Sequence, residues 1–459
     1  MTLIKSISGI RGTIGGKPGE SLNPVDIVKF SAGYGTWLKK RNKKITSVVT
    51  GRDGRESGPM VSQLVIMTLK SLGINVIDLG MATTPTVELA VTGTKSSGGI
   101  IITASHNPAE WNALKLLNEK GEFLSAKDGE RVLKLAEAEK FDFSVSGRQG
   151  TLRHDKTWNR KHIDMVLAMD LVDIKAIKKA GFRVAIDCIN SVGGVILPDL
   201  LKALGVKNSI GINMIPDGKF AHDPEPVPGN LTAISRLVTK EKADLGFVVD
   251  PDVDRLAIIC EDGSMFGEEY TLVSVADYVL GHTPGNTVSN MSSTMALRDI
   301  SKNHGCRHFS SAVGEVNVVE EMKKRKAVIG GEGNGGIIYP GLHYGRDALA
   351  GIALFLSHLA KSRVKCSQLR KKYPDYVIAK TKYALQPGTD FKKILGKIRK
   401  EFSAYKIDER DGMKIDLPGG WVQIRKSNTE PIIRIYSEGK TVQEAEDLAG
   451  KIAGIVKKN

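Results

Sequence analysis

Ser105 stands where an apolar run, Gly98-Gly99-Ile100-Ile101-Ile102, gives way to the turn-forming pair Asn107-Pro108. A run rich in β-branched residues and opened by two glycines suits a central parallel strand. Ligands of open α/β sheets bind beyond the carboxyl ends of strands, so the hydroxyl is placed for chemistry, although Ser in a tight turn is ordinary when it stands alone. A second apolar run, Phe247-Val248-Val249, leads into Asp250-Pro251-Asp252-Val253-Asp254-Arg255. Carboxylates at alternate positions can converge on one hard cation through oxygen ligands, and the adjacent guanidinium can offer a fork to a phosphate. A calcium loop of the EF-hand type is excluded because its sixth position is Arg255 rather than Gly and a strand precedes it. The triplet therefore reads as a magnesium site.

Two further motifs bear polar side chains among flexible backbone. In Gly330-Gly331-Glu332-Gly333-Asn334-Gly335-Gly336, glycines on both sides of Glu332 and Asn334 let the backbone approach a ligand closely. The carboxylate and the amide suit vicinal sugar hydroxyls. Arg425-Lys426-Ser427-Asn428-Thr429-Glu430-Pro431 lies between two apolar alternations and makes a cradle for a dianion, with a polar hairpin turn as the plain alternative.

These four motifs, in this order, resemble the α-D-phosphohexomutase family, which includes phosphoglucomutases, phosphomannomutases and phosphoglucosamine mutases. Ser8-Gly9-Ile10-Arg11-Gly12, Gly51-Arg52-Asp53-Gly54-Arg55 and Val184-Ala185-Ile186-Asp187-Cys188-Ile189-Asn190 extend the resemblance over nearly the whole chain. It implies an α/β protein with three α/β/α domains and a C-terminal α+β domain around a central cleft. It also implies a reaction in which a phosphoserine and a bisphosphorylated sugar interconvert hexose 6-phosphate and hexose 1-phosphate.

Carried over by position, Ser105 is the phosphoserine, and Asp250, Asp252 and Asp254 bind Mg2+ together with the Ser105 phosphoryl oxygen. Arg11, Lys115 and Arg255 line the reacting phosphate, Lys115 being also an acid or base candidate, and His106 joins the substrate contacts. Glu332 and Asn334 meet sugar hydroxyls, while Arg425, Ser427, Asn428 and Thr429 hold the other phosphate. A sugar 1,6-bisphosphate is the expected activator. This chain has Pro251 and Val253 where relatives commonly have Gly in the metal loop, and Asn112-Ala113 where Asn-Gly is usual. Asn334 stands where many relatives have Ser, and Gly336 where many have a His assigned to proton transfer. His343 is the candidate to fill that role. The opening Gly9-Ile10-Arg11-Gly12 and the Gly-Asn-Gly loop favour phosphoglucosamine mutase over phosphomannomutase or phosphoglucomutase. A haloacid-dehalogenase-type phosphatase, with Asp250 as nucleophile, is the competing class, since a strand followed by Asp-x-Asp also marks it.

The elements around these residues fit. The 459 residues exceed a single ordinary core, and four domains are expected at 1–150, 151–255, 256–364 and 365–459. The first three read as βα alternations with parallel or mixed sheets, and the last as strands closing on an amphipathic helix from Val442 to Val456. A composition of 41% hydrophobic and 25% charged residues is that of a soluble globular protein, with no apolar span of membrane length. Four scattered cysteines fit reduced thiols in a cytoplasm. The net charge of +15 raises a nucleic-acid reading, but no aromatic and basic residues interleave as a stacking platform. A positive field also steers dianionic substrates. The expected partner is a small phosphosugar, with no nucleic acid or membrane, and the protein a monomer or homodimer.

Overall fold

The computed structural model describes residues 2–6, 9–41, 45–384, 390–426 and 432–457. They form two compact units, residues 1–271 with 334–370, and residues 272–333 with 371–459.

The first unit carries two mixed sheets. Its larger sheet contains β1 (Leu3–Ser6), β2 (Gly9–Thr13), β3 (Val48–Arg52), β4 (Val76–Met81), β5 (Gly98–Ile102), β6 (Trp111–Leu117) and β7 (Leu152–His154), in the spatial order β1-β2-β6-β5-β3-β4-β7. The apolar run ending before Ser105 is thus central, parallel to β3 and antiparallel to β6. Ile100, Ile101 and Ile102 are wholly buried, at about 1.5–3 kcal/mol of burial each. Gly98 is required there, because any Cβ would collide with the Tyr34 hydroxyl, which donates to Leu117 O at 2.7 Å.

The second sheet contains β8 (Arg183–Asp187), β9 (Asn208–Ile212), β10 (Leu245–Val249) and β11 (Leu256–Cys260), ordered β11-β10-β8-β9. β8 pairs in parallel with β9 and β10, whereas β10 and β11 form a hairpin in which Val249 faces Leu256. Asp250–Arg255 are therefore the hairpin loop, held by two wholly buried strands. The hairpin carries the second sheet past residue 255, where the second domain was expected to end, because Leu256–Cys260 is as apolar as β10 and folds back on it. Likewise β7 adds Leu152–His154 to the first sheet, past the expected limit of 150.

In the second unit, β12 (Asn286–Asn290) lies between β13 (His308–Ser311) and β14 (Ala327–Glu332), all parallel. β15 (Gly336–Ile338) belongs to the first unit. The C-terminal sheet of β16 (Val377–Ala384), β17 (Lys406–Asp408), β18 (Met413–Leu417), β19 (Gly420–Lys426) and β20 (Ile432–Gly439) is antiparallel throughout, ordered β16-β20-β19-β18-β17. Ile394 and Ile398 of one helix and Ile452 of the last, Val442–Lys457, pack on Met413, Ile415, Ile424 and Ile435. The four-domain α/β architecture read from the sequence is the one observed. Among the described residues no helix is long and apolar enough to cross a membrane.

Candidate active site

Ser105 has φ of +49°, a left-handed conformation that swings its side chain out of the line of β5. Two groups hold that turn. The Thr103 hydroxyl accepts from Ser105 N at 2.9 Å and donates to Asp53 at 2.6 Å. Arg55, wholly buried, pairs with Asp53 at 3.0 Å. Its guanidinium also donates to the carbonyls of Ser105, Asn107, Pro108 and Trp111 at 2.5–2.9 Å. One side chain thus gathers the carbonyls of the whole serine loop. The sequence had marked Gly51–Arg55 only as a family-like segment, and Arg55 was not among the expected site residues.

The Ser105 hydroxyl donates to Asp250 Oδ2 at 2.6 Å, across 145 residues of chain. Asp250, Asp252 and Asp254 are all buried, and one ligand oxygen from each lies within 4.8 Å of the others. The backbone amides of Asp254 and Arg255 both donate to Asp250 Oδ1 at 3.1 Å, closing the loop around that carboxylate. Val253 supplies the bend with φ of +60°. Glycine adopts that conformation freely and a β-branched residue does not, so the departure noted in the sequence is resolved by strain rather than by a different loop.

Lys115, on β6 opposite Ile101, donates to Asp252 at 2.7 Å and lies 3.7 Å from Asp254. Burial works against its ammonium, but Asp252 and Asp254 prevail and its pKa is raised. Asp250 is pushed well above the usual carboxylate range by burial, then by the charges of Asp254 and Asp252. Asp252 moves the opposite way, since Lys115 outweighs its burial. Asp252 Oδ1 and Asp254 Oδ1 are buried and accept no hydrogen bond. Buried carboxylate oxygens left open beside an all-oxygen set are what a hard divalent cation satisfies, so the residues present fit magnesium.

Positive charge gathers beside this cluster. His106 Nδ1 lies 3.4 Å from the Ser105 hydroxyl, and the charge of Arg255, then burial, then Arg346 and Arg11, hold the His106 pKa well below 6.5. Arg11, on β2, is itself lowered by burial and by Arg255. Three guanidinium groups therefore act on one small region next to the serine. Arg346 donates to Asp254 at 2.6 Å, and Thr84, at the start of the helix Thr84–Gly93, donates to Asp252 through its hydroxyl. Neither was expected from the sequence, although Arg346-Asp347 and the hydroxyl run Thr83-Thr84 were visible there.

His343 departs from expectation. Its Nδ1 faces Glu88 at 3.3 Å and its Nε2 faces Asp347 at 3.1 Å. Burial opposes the charged ring, but hydrogen bonds to Asp347 and Glu88 outweigh it and raise the pKa to about 10. A ring held charged between two carboxylates is a poor proton shuttle near neutrality. The space beside Gly336 is taken by the Arg346 side chain, whose Cδ a Cβ at Gly336 would strike. Asp347 in turn meets His162 at 2.9 Å and caps the helix Ala348–Ser362, so His343 stands in a buried network of ionisable side chains.

Asn334, half-buried in the first unit, accepts from Gly336 N at 3.2 Å. In the second unit, Glu332 is buried at the end of β14, where Asn290 Nδ2 and Gly314 N donate to it at 2.9 and 3.1 Å. Arg425, on β19, is half-buried with Asp411 3.9 Å away. Ser427, Asn428 and Thr429 lie outside the described residues.

Four family models match the chain in order. They are described as phosphoglucomutase/phosphomannomutase α/β/α domain I over residues 3–143, domain II over 160–263, domain III over 267–376, and the C-terminal domain over 379–455. A phosphoglucomutase/phosphomannomutase of Thermococcus kodakarensis is 37% identical, covering 95% of this chain and 96% of the relative. A phosphoglucosamine/phosphogalactosamine mutase of Sulfurisphaera tokodaii is 33% identical over 98% of each chain. Among solved structures, a phosphoglucomutase/phosphomannomutase family protein of Burkholderia thailandensis superposes with a TM-score of 0.85 over 99% of this chain and 98% of that one, at 23% identity, a likeness of fold. Aspergillus fumigatus N-acetylphosphoglucosamine mutase, solved with GlcNAc-6P and magnesium, shares the fold more distantly, with a TM-score of 0.61 at 15% identity over 100% of this chain and 96% of that one.

Proposed function

Because this chain belongs to the phosphoglucomutase/phosphomannomutase family of α-D-phosphohexomutases, which are isomerases, we propose that it interconverts a hexose 6-phosphate and its 1-phosphate through a phosphorylated Ser105. The observation that carries this reading is the Ser105 hydroxyl at the end of a buried central strand, 2.6 Å from a carboxylate of the acidic triplet. A phosphatase using Asp250 as nucleophile is not carried forward, since the family matches span all four domains.

In this reading a sugar hydroxyl attacks the phosphorus on Ser105. The new P–O bond forms on the sugar while the bond to Ser105 Oγ breaks, giving a bisphosphorylated sugar. After that intermediate turns over, its other phosphoryl returns to Ser105. Little covalent work falls to the protein, which must align the groups and neutralise the equatorial oxygens. Arg255, Arg11 and His106 meet the reacting phosphate, and the guanidinium charges around His106 support that assignment. Asp250, Asp252 and Asp254, with Ser105, would hold magnesium, which would supply further charge neutralisation there. Lys115, its ammonium favoured by Asp252 and Asp254, is the candidate acid, and the proton of the attacking hydroxyl ends on Ser105 Oγ. Glu332 and Asn334 contact sugar hydroxyls. Arg425, with Ser427, Asn428 and Thr429, holds the phosphate that is not in transfer. The domains proposed for these roles are those expected from the sequence, with the second extended to include β11.

Glucosamine phosphate is the proposed sugar. Mannose or glucose phosphate is the second reading, favoured by the 37% identical Thermococcus relative. The test has two parts. Intact mass should show one phosphate stable to neutral hydroxylamine and absent from Ser105→Ala, which should not turn over even with a sugar 1,6-bisphosphate supplied. Comparing kcat/KM across the glucosamine, mannose and glucose phosphates then decides the sugar, and turnover by Ser105→Ala would sink the mechanism itself.

A further inference from the structure

A cavity of about 310 Å³ lies wholly within the second unit, apart from every residue assigned above. Its walls come from the helices Ala296–Asn303 and Glu315–Arg325 and from β13, β17 and β18. Five cations face it, Arg298, Arg325, Lys406, Arg410 and Lys414, against three carboxylates, Glu321, Asp408 and Asp416. The carboxylates are committed: Glu321 to Arg325 at 2.7 Å, Asp408 to Arg410 at 2.5 Å, and Asp416 to Lys406 at 3.8 Å. Arg298 also faces Asp299, outside the lining, at 3.6 Å, and among the lining residues the cations outnumber the carboxylates by two.

Two titratable groups of the lining are drawn down. Lys414, which donates to Met291 O at 2.6 Å and lies over the Trp421 ring, is drawn down to about 8, by burial first and with Arg298 adding to it against Asp416 and Glu438. His308, whose Nδ1 meets the Thr287 hydroxyl at 3.0 Å, is drawn down to about 3 by burial and then by the charges of Lys414 and Arg298. At His308 the charges of Lys414 and Arg298 add to desolvation and mark a positive potential there, whereas at Lys414 burial lowers the pKa while Asp416 and Glu438 outweigh Arg298.

We propose that this cavity is a second anion site, built for a phosphoryl dianion, either free phosphate or the phosphate of a small metabolite. Three guanidinium groups on separate elements, with a lysine at the floor, surround it from several directions. That arrangement suits a tetrahedral group with several terminal oxygens better than a planar carboxylate, which one or two forks saturate. The volume lies at the lower end of small-molecule sites, roughly 300–1,000 Å³, and so admits a short phosphomonoester as well as phosphate. The wall is joined to the sugar loop: Ser293, which lines the cavity, accepts from Gly333 N at 3.0 Å, next to Glu332.

The test follows the His308 imidazole resonance, assigned with His308→Gln, while inorganic phosphate, glycerol 3-phosphate or malonate is titrated into the full-length protein. Phosphate or the phosphomonoester should shift the resonance saturably and raise the His308 pKa. Tighter binding of the monoester than of phosphate identifies a metabolite as the ligand, and the reverse identifies free phosphate. Lys414→Met and Arg298→Gln should each weaken the effect about tenfold or more, the loss of one hydrogen bond to a charged group. Arg425→Ala should leave it unchanged, which separates this cavity from the proposed substrate site. The proposal is overturned by a resonance that does not respond, by wild-type affinity in both cavity variants, or by malonate binding as well as phosphate.

Discussion

Replacing Arg55 by Lys keeps the charge and removes the fork, and its consequences can be worked from the contacts. Arg55 makes five hydrogen bonds through its side chain, one to Asp53 and four to loop carbonyls. An ammonium offers three donors at most, from a single point, so at least two of these bonds are lost. Each hydrogen bond to a charged group contributes about 1.5–3 kcal/mol, so Arg55→Lys should destabilise by about 3–6 kcal/mol. That is a large share of the roughly 5–15 kcal/mol that stabilises an ordinary domain. The carbonyls released are those of Ser105, Asn107, Pro108 and Trp111, so the disturbance falls on the loop that carries Ser105. A displacement of about 1 Å there can cost on the order of a hundredfold in rate. Urea unfolding followed by tryptophan fluorescence, with kcat/KM measured below the transition, checks both parts. An unchanged unfolding midpoint together with wild-type kcat/KM would refute the idea that Arg55 organises the serine loop.

Asp252→Asn removes an anionic oxygen from the triplet and should weaken divalent-cation affinity, read as Mn2+ binding by electron paramagnetic resonance; an unchanged binding curve would reduce the triplet to a turn. Arg425→Ala should raise KM for every phosphosugar by roughly ten- to a hundredfold, and an unchanged KM would place β19 outside the site. His343 gives a pH signature of known sign. Its folded pKa of about 10 lies above the unfolded value of about 6.5, so its contribution to stability is complete below about pH 6.5 and is lost as pH rises through 10. Thermal unfolding across that window should show the slope in the wild type and a flatter one in His343→Gln. Near-normal kcat in the same variant is expected from its place between Glu88 and Asp347, and a loss of a hundredfold or more would return it to proton transfer.

What could be read from the sequence was what local pattern encodes. The run Gly98–Ile102 and the run ending at Val249 declare buried strands by composition alone, and a polar residue directly after such a strand is positioned by the strand itself. The placement of Ser105 and the Asp triplet beyond the ends of buried strands was legible for that reason. Arg55 and Arg346 were not, because their roles depend on partners 50 to 56 and 92 residues away, which no periodicity reports. His343 shows the converse. Imidazole chemistry suggested a proton shuttle, yet whether a histidine shuttles or stays charged is decided by the groups facing it, and here two buried carboxylates face it. Val253 carries the point furthest. Its left-handed φ contradicts its own preference, and it persists because tertiary contacts over-determine it. Val253 N donates to Asp250 O at 3.0 Å, Ala348 N donates to Val253 O at 3.3 Å, and the side chain is wholly buried. A glycine there would reach the same bend without help, whereas the valine is tied down by the hydrogen bond from Ala348, the first residue of the helix Ala348–Ser362. The geometry of the Asp250–Arg255 loop is therefore coupled to the packing of that helix, and with it to the His162–Asp347–His343 network at its N-terminus.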